Sequence, residues 1–68
     1  MKLIVNGDVQ VVADELTLVG LLVHMDLDPE QKGIAVAVNA EVIAQSNWAD
    51  ICLKDGDRID IIHAVQGG

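Results

Sequence analysis

The chain has 68 residues, enough for one domain; a domain of that size buries only about 60% of the surface its unfolded chain exposes, which leaves little room for a deep catalytic pocket. Apolar residues make up 51% and Trp48 is the sole aromatic, so disorder is excluded and the core must be aliphatic. Eleven acids against four bases give a net charge of −7, which repels a phosphate backbone and, with no aromatic stacking platform, excludes nucleic acid as a partner while suiting a basic protein face.

The N-terminal stretch alternates, with Leu3 and Val5 on one side and Lys2, Ile4 and Asn6 on the other, as a half-buried strand does. Asn6-Gly7 predicts a two-residue hairpin turn, because both positions need positive φ. VQVVA is the returning strand, with Val9 and Val11 sharing a face. Thr17 is the candidate N-cap of a helix whose apolar stripe is Leu18, Leu21, Leu22 and Met25. Asp14 and Glu15 are expected near the positive end of its dipole. DLDPEQKG stops the helix: Pro29 disfavours helical backbone at Asp28, and Gly33 supplies a turn.

GIAVAVNAEVI predicts a strand, a tight turn at Asn39-Ala40-Glu41 and a short strand. SNWAD predicts an irregular or single-turn helical stretch, with Trp48 covering one end of the core and its N–H needing a partner. KDGD turns around Gly56. RIDIIHAV is the last strand, with Ile59 and Ile61 inward and Asp60, Ile62 and Ala64 outward. The order β-β-α-β-(short β)-β predicts an α+β domain: a mixed four- to five-stranded sheet with one main helix on one face, and first and last strands side by side. Residues 1–64 form the expected body, and 65–68 a flexible C-terminal tail ending in Gly67-Gly68.

Other chemistry-bearing residues carry little. Cys52 is a single cysteine, with no sign of an oxidising compartment. Set in ICL without a cluster of cations, it is expected to be a small packed residue rather than a sulfur relay. His24 and His63 have no carboxylate or serine at a telling spacing. Asp55-Gly56-Asp57 lacks the ligand ladder of a calcium loop and reads as a turn. Gly7, Gly33 and Gly56 are spread through turns and cradle no phosphate. Neither a metal site nor a bound cofactor is expected. No apolar stretch is long enough to span a bilayer, and the default setting is cytoplasmic.

The strand–helix order, the length, VNAEVIAQSNWAD, LKDGDRIDII and the terminal Gly67-Gly68 together resemble the ubiquitin-like β-grasp sulfur carriers, in particular their thiamin-biosynthesis branch. The resemblance covers the whole chain; Ala44 stands where many relatives have proline, in a loop. It implies a protein co-substrate rather than an enzyme. A ubiquitin-activating-type adenylyltransferase would use ATP to adenylate the Gly68 carboxylate. A sulfur donor, a cysteine desulfurase or rhodanese-type protein, would supply the sulfur that displaces AMP and leaves a thiocarboxylate. Thiazole synthase would receive that sulfur.

The tail suits such chemistry. A free α-carboxyl has a pKa of about 3.3–3.7 and is a poorly electrophilic anion at neutral pH, so activation as a mixed anhydride is needed. Glycines at 67 and 68 give a thin backbone that enters a narrow channel. Val65 to Gly68 reach at most about 14 Å extended, and ordering them costs on the order of 4–8 kcal/mol. A docking surface on the body must offset that. Ile62, with Ala37 and Ile4 near it and Asp57 and Asp60 around it, is the expected apolar patch with a charged rim. Val65, Gln66 and Ala64 complete the expected partner-binding set. Two rivals stay open: a carrier of the same fold serving molybdopterin or another sulfur pathway, and a β-grasp recognition module that is never activated. Length and the VNAEV…W segment favour the thiamin branch.

Overall fold

Two tight turns build most of the sheet. The computed structural model describes residues 1–63. Asn6 and Gly7 take φ of 49° and 86° and join β1 (Lys2–Val5) to β2 (Asp8–Val11) as an antiparallel hairpin. Asn39 and Ala40, at φ 51° and 70°, do the same between β3 (Ile34–Val38) and β4 (Glu41–Ile43). Glu41 thus belongs to the strand and not to the turn. β5 (Arg58–His63) lies between the hairpins, parallel to β1 and antiparallel to β3. The sheet order is β2-β1-β5-β3-β4.

One helix, α1 (Leu18–His24), packs against one face of the sheet. Thr17 caps it: the Thr17 hydroxyl accepts from the Gly20 N–H at 3.0 Å. Leu18, Leu21 and Leu22 are fully buried, while Met25 is partly buried at the C-cap. The first turn carries no acid; Asp14 and Glu15 precede the Thr17 cap. Asp14 pairs with the Met1 ammonium at 3.0 Å. The helix also stops earlier than Pro29 requires. Asp26 turns left-handed at φ 60°, the Leu27 N–H reaches back to the Leu22 carbonyl at 2.8 Å, and that of Asp26 to Val23 at 3.0 Å. These are the two bonds of a Schellman ending.

The core lies between the helix and the inward strand residues Leu3, Val5, Val36, Ile59 and Ile61. A 3-10 helix, Gln45–Asp50, closes one end of it. Trp48 is buried there, and its indole N–H donates to the Ile43 carbonyl at 2.9 Å, which meets the need of a buried indole. Gln45 ties this helix to the loop after α1, donating to the carbonyls of Pro29 and Gln31. Residues 51–53 run extended beside 16–18, bonded from Leu18 to Ile51 and from Leu53 to Leu16. Leu53 points into the core, so the alternation turns Cys52 outward. Cys52 is therefore exposed, and the expectation of a small packed residue is corrected.

Candidate functional site

β5 organises the candidate site, because its two faces have different fates. Ile59 and Ile61 go into the core; Arg58, Asp60 and Ile62 go to the sheet face that no helix covers. Register fixes their neighbours. Ile62 stands opposite Ala35, Asp60 opposite Ala37, and Ala37 opposite Val42. Ala37 is thus the diagonal neighbour of Ile62. Small Ala35 and Ala37 leave Ile62 standing proud, at 61% exposure. The Arg58 guanidinium lies 3.6 Å from the Asp60 carboxylate, an exposed pair of small energetic weight that marks the patch's charged edge.

Ile4 is not part of this patch. It pairs with Arg58, four residues from Ile62 along β5 and so about 13 Å away at the rise of a strand. Ile4 instead joins Val9, its cross-strand partner, and Val11 on the hairpin side. Among the described residues the exposed large hydrophobics are Ile4, Val9, Val11, Val23, Val42 and Ile62; all but Val23 lie on the open sheet face. Ala35 and Val42 belong to the patch and escaped the sequence reading, which had the alternation but not the register.

Asp57 is tied into the turn around Gly56. One of its oxygens accepts from the Asn39 side chain at 3.0 Å and the other from the Lys54 N–H at 2.8 Å. Asp55 accepts from the Lys2 N–H at 2.7 Å. Both acids brace the turn around Gly56, as the turn reading of this segment requires. His24 and His63 are exposed. Among the described residues no group of three or more His, Cys, Asp or Glu is placed to hold a metal ion, and no helix is long and apolar enough to cross a membrane. A shallow cleft on the helix side, between Val19, Pro29, Trp48 and Ala49, carries one carboxylate, Glu30. Of the expected partner-binding residues, Ala37, Asp60 and Ile62 lie together on the open face; Ala64, Val65, Gln66, Gly67 and Gly68 lie outside the described residues.

Comparison with known proteins gives a consistent picture. Residues 3–68 match the model of the ThiS family. A thiazole synthase from Paramagnetospirillum magneticum is 31% identical over 68 residues, which cover all of this chain and 20% of that protein. The chain therefore spans about a fifth of the length of the synthase relatives it matches. The sulfur carrier protein ThiS of Escherichia coli is 36% identical over 42 residues, 62% of this chain and 64% of that one. The crystal structure of a thiamine biosynthesis protein (ThiS) from Geobacter metallireducens superposes with a TM-score of 0.85 at 28% identity, covering both chains completely.

Proposed function

The chain belongs to the ThiS family, and on that premise we propose that it is a sulfur carrier whose Gly68 carboxylate is converted to a thiocarboxylate for thiazole formation. ThiS-type proteins are carrier co-substrates rather than catalysts. An adenylating partner joins the carboxylate to the α-phosphate of ATP, and pyrophosphate leaves. A persulfide held by a partner then attacks the activated carbonyl, AMP leaves with the electron pair of the broken C–O bond, and a thiol attacks the partner-side sulfur of the acyl disulfide, forming a disulfide with the partner and releasing the thiocarboxylate. The resulting thiocarboxylate gives its sulfur to thiazole synthase.

The carrier contributes no base, metal or nucleophile. It contributes a thin terminus, Val65 to Gly68, and a docking face centred on Ile62, Ala37 and Asp60. The observation that carries this reading is the family match, which runs through Gly67 and Gly68. The open sheet face supports it, because delivering a tail demands binding energy from elsewhere on the body.

Intact-mass spectrometry tests the proposal. Incubation with ATP, a ubiquitin-activating-type adenylating enzyme and a sulfur source should replace one oxygen of the chain by sulfur. Deleting Gly68, or replacing Gly67→Phe, should abolish that change while the far-UV spectrum and unfolding midpoint stay as they were. Sulfur gain by either variant refutes the assignment of the site.

A further inference from the structure

β5 has two neighbours, but only one accompanies it to its end. β3 pairs with it from Ile59 to His63. β1 pairs with it only at Arg58 and Ile59, because the chain then leaves for the Asn6-Gly7 turn. The N–H of buried Ile61 therefore faces a position that no strand backbone fills, and an unpaired N–H there would be costly.

Asn6 fills that position. Its N–H donates to the Ile59 carbonyl at 2.9 Å, and its Oδ1 accepts from the Ile61 N–H at 2.7 Å. The side chain takes over the ladder where its own backbone turns away. Asparagine combines the two properties required, tolerance of a left-handed backbone and a short side-chain acceptor. Asn39 grips β5 from the opposite side and nearer its start. Its N–H donates to the Arg58 carbonyl at 2.7 Å, its Oδ1 accepts from the Arg58 N–H at 3.0 Å, and its Nδ2 donates to Asp57.

We propose that Asn6 is a positioning residue for sulfur loading: its bond to Ile61 holds the last turnless stretch of β5, Ile61–His63, in register as the base from which residues 64–68 start. This rests on the sulfur-carrier reading. The docking residues Ile62 and Ala37 make no bond to Asn6, so binding and aim are separable.

Asn6→Gly keeps the left-handed freedom of the turn and removes the acceptor. Asn6→Asp restores an acceptor oxygen. Two readouts are needed: exchange of the Ile61 amide by NMR, and steady-state loading with ATP, sulfide and an adenylating enzyme at varied carrier concentration. Asn6→Gly should speed Ile61 exchange about tenfold, the equivalent of one lost hydrogen bond, and lower kcat about as much with KM for the carrier unchanged. Asn6→Asp should recover both. Asn39→Asp should not behave as a conservative change, because it sets a second carboxylate against Asp57. Wild-type kcat in Asn6→Gly, or failure of Asn6→Asp to recover, overturns the positioning role alone. Failure of the wild-type chain to load at all overturns the sulfur-carrier reading, and the delivery role with it.

Discussion

Ile59 and Ile62 are the same residue type on the same strand, three positions apart, and they do opposite work. Ile59 is fully buried among Leu3, Val5 and the helix leucines; Ile62 is 61% exposed beside two alanines. The odd face of β5 holds the domain together, while the even face is free to meet another protein. Strand alternation makes this separation possible, since neighbouring side chains answer to different constraints. Stability and loading should therefore respond to different residues of one short strand.

Ile59→Ala offers the largest test of that separation. It should cost about 2–5 kcal/mol in urea unfolding, a large share of what a domain of this size possesses. Ile62→Ala should change the same midpoint by no more than about 0.5 kcal/mol. A comparable loss at both sites would show that the two faces are not independent. The next effect is functional. Ile62→Glu should leave folding intact and raise KM for the carrier in adenylation about tenfold, as expected for an apolar anchor replaced by a charge; an unchanged KM would remove Ile62 from the docking face. The smallest change touches neither face. Ala40 sits at φ 70°, where Gly7 sits in the other turn at 86°. Ala40→Gly should raise stability by about 1 kcal/mol with loading unaltered, whereas Gly7→Ala, although nothing crowds its Cβ, should lose about as much through backbone strain.

Local features were legible in the sequence. Asn6-Gly7, the Thr17 cap, the leucine stripe and the inward pair Ile59 and Ile61 each depend on residues a few positions apart, where turn chemistry and periodicity act. What alternation cannot supply is register. It placed Ile4 and Ile62 on one face but not four residues apart, and it had no means of bringing Ala35 opposite Ile62 or Val42 opposite Ala37. Cys52 was misread for a related reason. Its apolar neighbours suggested burial, yet the extended pairing of 51–53 with 16–18 turns alternate side chains away from the core. The helix ends at a left-handed aspartate, a position usually held by glycine, so residue type alone does not mark Asp26 as the stop. Asp57 was expected at the rim of the Ile62 patch; its hydrogen bonds to Lys54 and Asn39 tie it into the Gly56 turn.

The central pairing of β1 with β5 also governs when this protein can become itself during translation. A chain that ends before Arg58 holds two separate hairpins, β1–β2 and β3–β4, and isolated hairpins are marginal in water. Only the strand that leads into the glycine pair can knit them into one sheet. A product that stops before Arg58 would thus lack the strand that joins the hairpins, and would remain a target for proteolysis.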